Sequence, residues 1–128
     1  MVTLSSDGLQ RSTKQRGDAA EEVAYQYLRA QGLTLLVRNF RTPGRGGGEI
    51  DLIMREPDGT VVFIEVRQRS SARFGGAAAS IGASKKRRII FAARHYLARL
   101  AQEPPCRFDV LVQQDTQIEW IPAAFDAS

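Results

Sequence analysis

Residues 48–55 and 60–69 are two runs of β-forming residues separated by Glu56-Pro57-Asp58-Gly59, and they constrain the fold more tightly than any other stretch of the chain. Proline presets the second position of a type I turn, and glycine takes the left-handed residue that follows it. The two runs are therefore expected to close into a hairpin with Glu56 and Thr60 as the closing pair. That turn fixes the register, which sets Asp51 across from Glu65 and Glu49 across from Arg67. All four side chains are then expected on one face of the hairpin.

The remaining segments supply the layers such a hairpin needs. Ala20, Val23, Ala24, Tyr27 and Leu28 recur at helical spacing and form the buried stripe of a first helix, which begins near Gly17 and closes at Gly32. Residues 1–16 lack a hydrophobic period and read as a flexible tail, leaving 17–126 as one domain. Residues 33–40 read as a strand, followed by the basic, glycine-rich loop 41–48. Residues 70–83 read as a loop. A second helix is expected over 84–102, with Ile89, Ala93, Tyr96, Leu97 and Leu100 inward and Pro104-Pro105 ending it. Phe108, Val110 and Val112 alternate as a fourth strand, and residues 117–121 form a short fifth strand ended by Pro122. The order αβββαβ plus a final strand implies an α/β fold with a mixed central sheet between two helices. Trp120, Phe108 and Phe125 are expected in the core, and His95 in solvent.

The hairpin also carries the chemistry. Like charges directly opposed across strands destabilise a sheet, so Asp51 against Glu65, among apolar Ile50, Leu52, Ile64 and Val66, requires compensation. A divalent cation would supply it; so would neighbouring arginines, and these residues alone leave both open. Two hard carboxylates suit Mg²⁺ or Mn²⁺, and the lack of a Cys/His cluster argues against zinc. Glu21 lies on the margin of the first helix's buried stripe and can look toward this site, although an exposed glutamate favoured by the helix dipole is the plainer reading. Glu22 points away. Lys85-Lys86-Arg87-Arg88 falls in the first turn of the second helix, where positive charge opposes the macrodipole by roughly 0.3–1 kcal/mol per residue. A bound anion would account for the run, and a solvated face is the alternative. Arg41, Arg45, Arg69 and Arg73 border the same strands. With 18 Lys and Arg against 14 Asp and Glu, the net charge of +4 favours a nucleic-acid partner. One cysteine and no long apolar run point to a cytoplasmic protein without a membrane segment.

Five blocks carry a resemblance: Gly48-Glu-Ile-Asp-Leu-Ile53, Phe63-Ile-Glu-Val-Arg67, Phe74-Gly-Gly76, Ser84-Lys85 and Cys106-Arg-Phe-Asp-Val110. Together they resemble the YraN-type family of uncharacterised bacterial proteins, from about Gly17 to Phe125. That family is regarded as endonuclease-like, within the PD-(D/E)xK superfamily with its restriction-endonuclease fold, and the archaeal Holliday-junction resolvases are similar to it. The resemblance implies that Asp51 and Glu65 are metal-binding acids, with the Val66 carbonyl as a further ligand. It also implies that Glu21 is the helix-borne acid and Lys85 a basic residue of the site. The superfamily pattern has lysine where this chain has Arg67. Arginine stays protonated and prefers paired oxygens, so Arg67 either stabilises charge on phosphate or is locked against Glu49.

These readings lead to a divalent-metal-dependent endonuclease with Glu21, Asp51, Glu65, Arg67 and Lys85 at its catalytic centre and Mg²⁺ or Mn²⁺ on Asp51, Glu65 and Val66. Arg45, Arg69, Lys85, Lys86, Arg87 and Arg88 are the expected contacts to nucleic acid, DNA before RNA. The alternatives are a nuclease-fold module that binds without cutting and a protein-interaction domain. Analogy with the resolvases adds a homodimer.

Overall fold

The computed structural model describes residues 13–69 and 81–127. Most of the expected tail, together with Arg73 and the Phe74-Gly-Gly76 block, lies outside the described residues. The elements are α1 (Thr13–Ala30), β1 (Thr34–Arg41), β2 (Glu49–Arg55), β3 (Val61–Arg69), α2 (Ala83–Leu97), β4 (Cys106–Gln114) and β5 (Gln117–Phe125). The strands form one mixed sheet in the order β1-β2-β3-β4-β5. Neighbours are antiparallel except β3 and β4, which are parallel. A parallel pair needs a crossover connection, and the segment bearing α2 supplies it.

The hairpin closes as expected. The Glu56 N–H donates to the Thr60 carbonyl at 2.9 Å, the Gly59 N–H donates to the Glu56 carbonyl at 2.9 Å, and Gly59 takes φ 96°. The register follows: Leu52 faces Ile64 and Ile53 faces Phe63. Alternation along β3 then sends Val62 and Ile64 toward Ala24 and Leu28 of α1, and Val61 and Phe63 toward Ile89, Ala92, Ala93 and Tyr96 of α2. Each buried large side chain contributes about 1.5–3 kcal/mol, so the two helices hold the sheet between them.

Three boundaries differ from expectation. Helix α1 starts at Thr13, upstream of Gly17, so residues 13–16 belong to the helix and not to a tail. Helix α2 ends at Leu97, and Leu100 is exposed where it was expected inward. The chain must return to lay β4 beside β3, and the Val61 N–H already meets the Pro105 carbonyl at 2.9 Å, so residues 98–105 are needed for the turn back. Strand β5 runs through Pro122 to Phe125. It is the sheet edge, where a proline withholds no N–H from a neighbour. No helix among the described residues is long and apolar enough to cross a membrane.

Candidate active site

The site forms where β2 and β3 part. Their ladder runs from Arg55↔Val61 to Leu52↔Ile64 and goes no further. Beyond it β3 continues with β4 to Arg69↔Gln114, while β2 stays with β1 to Glu49↔Arg41. Asp51 stands at the mouth of the gap, its Oδ2 accepting the Val66 N–H at 2.8 Å. Ile50 and Ile53, three residues apart, both pack on the α2 side, so the two-residue alternation slips between them. Asp51 thereby turns toward the gap instead of standing on one face with Glu49, Glu65 and Arg67.

Both helices contribute to this opening. Glu21 of α1 hydrogen-bonds Asp51 and Asn39. Glu65 of β3 is buried and hydrogen-bonds Asp51 from the other side. Lys85 Nζ of α2 lies 3.5 Å, and Arg67 Nη1 3.7 Å, from the same Glu65 Oε2. Glu21, Asp51, Glu65, Arg67 and Lys85 are thus brought together, with the Val66 backbone between them. Burial, and then the charge of Asp51, pushes Glu65 up to about 7 and Glu21 likewise up to about 7. Asp51 is also raised by burial, against the opposing hydrogen bonds from Val66 and Glu65. Burial thus disfavours the charged form of all three carboxyls, Glu21, Asp51 and Glu65, where they meet.

Other expected residues fall elsewhere. Glu49 makes its ion pair with Arg41 at 3.4 Å, because β2 remains paired with β1 at this point; the expected cross-strand pair with Arg67 gives way to Arg67 against Glu65. Glu22 is exposed and accepts from Arg38 at 2.8 Å and Gln26 at 2.9 Å. Arg45 is exposed on the glycine loop, and Arg69 ends β3 half-buried with a partner group. Lys86 holds its ammonium 5.6 Å from the Phe125 ring centroid, while Arg87 and Arg88 are exposed on α2. His95 is exposed, as expected.

Sequence reasoning missed Asn39. It stands across β1 from Asp51, takes φ 50° inside a strand, and hydrogen-bonds Glu21. Asparagine tolerates the left-handed region better than the β-branched residues a strand prefers, so an Asn within Leu35-Leu36-Val37-Arg38-Asn39-Phe40 was the available signal. A polar depression of about 330 Å³ opens here, lined by Gly17, Asp18, Glu21, Asn39, Arg41 and Glu49. The Cys106–Val110 block has a different task. Asp109 is fully buried and accepts from Arg107 Nε at 3.0 Å, Trp120 Nε1 at 2.9 Å and the Ala123 N–H at 2.9 Å, pinning β5 to the sheet.

Among the described residues, no three His, Cys, Asp or Glu side chains close on a point that could hold a metal by themselves. Asp51 and Glu65 are the two acids here that would supply donors. The Val66 carbonyl joins them in direction, because in a strand it points to the same side as the N–H that meets Asp51. Few protein oxygens, all of them hard donors, fit Mg²⁺ or Mn²⁺ and would not fit a closed zinc cage.

The family model of the uncharacterised protein family UPF0102 matches residues 20–112. Curated relatives include a UPF0102 protein of Albidiferax ferrireducens, 66% identical over 116 residues, covering 91% of each chain. A UPF0102 protein of Polaromonas naphthalenivorans is 63% identical over 128 residues, covering 93% of this chain and 84% of the relative. A third, from Verminephrobacter eiseniae, is 62% identical over 117 residues, covering 91% and 81%.

Proposed function

We propose that this chain, which belongs to the uncharacterised protein family UPF0102, is a divalent-metal-dependent endonuclease that hydrolyses phosphodiester bonds in DNA, selecting branched or single-stranded structure. The observation that carries this reading is the meeting of Asp51 and Glu65 at the point where β2 and β3 part, with Lys85 and Arg67 on the same Glu65 oxygen. Opposed acids and two cations gathered at one opening suit a phosphate whose charge grows during attack by water.

Asp51, Glu65 and the Val66 carbonyl would hold Mg²⁺ or Mn²⁺, which when bound supplies Lewis acidity and a more acidic water. The chain's own residues do the rest. Burial disfavours charge on Glu65 and Glu21, and a bound cation would favour it. Lys85 and Arg67, both beside Glu65, face the phosphate, the ammonium as a movable point charge and the guanidinium as a fork. Glu21, oriented by Asn39, orients a water in the depression beside it. Arg45, Arg69, Lys86, Arg87 and Arg88 hold the nucleic-acid backbone.

The test is cleavage of a panel of branched, flapped and single-stranded DNAs by purified protein with Mg²⁺ or Mn²⁺. Wild type is expected to nick at least one substrate, and Asp51→Asn or Glu65→Gln to lower the rate by at least about a hundredfold, the scale of losing a central electrostatic group. Arg67 at the superfamily's lysine position favours a second reading, a binding module without turnover. DNA binding with steep salt dependence but no cutting by wild type or by Arg67→Lys would select it.

A further inference from the structure

Helix α2 carries five Lys and Arg residues and no Asp or Glu within Ala83–Leu97. Lys85 reaches Glu65, and the Lys86 ammonium lies 5.6 Å from the Phe125 ring centroid. Arg87, Arg88 and Arg94 are exposed and have no ion-pair partner among the described residues. At about 100° per residue these three arginines and His95 surround Phe91 on the face opposite the buried stripe of Ile89, Ala92, Ala93 and Tyr96. Phe91 itself is 44% exposed, and its ring leans on His95 with centroids 4.6 Å apart. The sheet has no use for an aromatic ring placed there.

The patch joins the site through the glycine loop. The start of β2 presses against α2 so closely that a Cβ on Gly48 would collide with the Arg88 carbonyl oxygen. Arg88, Arg41 and the loop backbone at Gly44, Gly46 and Gly47 line a polar depression of about 230 Å³. Basic groups thus continue from Lys85, past this loop, to the outer face of α2.

We infer that the Arg87-Arg88-Phe91-Arg94-His95 face of α2 is a single-strand platform, on which Phe91 stacks an unpaired base while the arginines hold the flanking phosphates. Duplex DNA offers its phosphates but hides its base faces, whereas a single strand presents both, and an exposed ring among free cations matches the second ligand. Phe91 follows Lys85 by six residues, about 9 Å of helix rise. The inference rests on the proposed nuclease reading and names its substrate: DNA with an unpaired segment beside the scissile bond.

The experiment measures fluorescence anisotropy of full-length protein with a labelled single strand and with a duplex of equal length, without divalent metal, across a salt series. Wild type is expected to prefer the single strand. Phe91→Ala should weaken single-strand binding by roughly 5- to 150-fold and leave duplex affinity nearly unchanged, and Phe91→Trp should restore it. Arg87→Gln and Arg94→Gln should weaken both ligands and flatten the salt slope. Unchanged single-strand affinity in Phe91→Ala, or no nucleic-acid binding by wild type, overturns the platform. Thermal melts of each variant exclude misfolding, which an exposed position should not cause. Asp51→Asn, assayed for cleavage alongside, separates the two proposals: lost cutting with unaltered Phe91→Ala binding removes the platform and keeps the nuclease. Lost Phe91→Ala binding with an inert wild type does the reverse.

Discussion

Glu65 is an acid buried beside another acid, and that position disfavours its charged form. Its carboxyl is raised by burial and by Asp51 to about 7, against an ordinary value of 4.5. Below pH 4.5 folded and unfolded chains both carry the proton, so the shift costs nothing there. As pH rises from 4.5 to 7 the unfolded chain releases the proton while the folded one keeps it, and metal-free stability falls; above 7 the loss is complete. Glu65→Gln removes the titration and keeps the shape. It should match wild type near pH 5 and exceed it at pH 8 by on the order of 1–3 kcal/mol, read from urea unfolding at both values with a metal chelator present. Equal stability of the two proteins at pH 8 would mean that Glu65 is solvated. That these two acids meet was legible in the sequence because a single turn, Pro57-Asp58-Gly59, sets the register up to Leu52↔Ile64 and so brings both to the end of that ladder. Asn39 was not, because its role depends on a left-handed backbone that no periodicity announces. The partner of Arg67 was misassigned for a related reason: register assumes that two strands stay together, and here they separate at the functional residue.

At the level of elements, β2 and α2 are in backbone contact at Gly48, and the placement of Lys85 depends on it. A Cβ there would collide with the Arg88 carbonyl and meet Ala92 Cβ at 3.0 Å, both on α2. Gly48 is also clamped from the other side, where its N–H donates to Thr42 Oγ1 at 2.6 Å and its carbonyl accepts the Thr42 N–H at 3.0 Å. With Gly48 held by Thr42, the strain falls on α2. Gly48→Ala should therefore destabilise the fold by about 1–3 kcal/mol, the cost of overpacking a well-filled contact, and weaken cleavage because α2 is displaced from Glu65. Denaturant midpoints check the first effect; a variant as stable as wild type would show that the helix can retreat freely. The same dependence on neighbours explains which elements the sequence announced. Among the described residues both helices and all five strands were visible as runs, but the end of α2 and the length of β5 answer to the sheet. Leu100 looks like a core residue until β4 has to begin at Cys106, and Pro122 looks like a stop until β5 proves to be an edge.

Taken whole, the molecule keeps an unfavourable opening in an otherwise well-packed sheet. Strands β1 and β2 are drawn one way and β3 and β4 the other, with α1 and α2 packed on opposite faces, so that Glu21 and Lys85 reach one gap from two sides. Such an arrangement is costly alone and gains if a cation enters. Mn²⁺ or Mg²⁺ should then raise the melting temperature, because an ion that binds only the folded chain stabilises it by about 2.7 kcal/mol at a hundredfold excess over Kd. For a domain of this size that is on the order of 10 °C. The shift should be larger at pH 8 than at pH 6, since below about 7 the ion competes with the protons on Glu65 and Glu21. Asp51→Asn should abolish it while melting normally without metal. Two results distinguish an ion site from general cation binding to acidic surface: the pH dependence and the loss in Asp51→Asn. A shift that persists in Asp51→Asn, or none at millimolar Mn²⁺ at pH 8, would leave the acid pair as a structural element held by Lys85 and Arg67 alone.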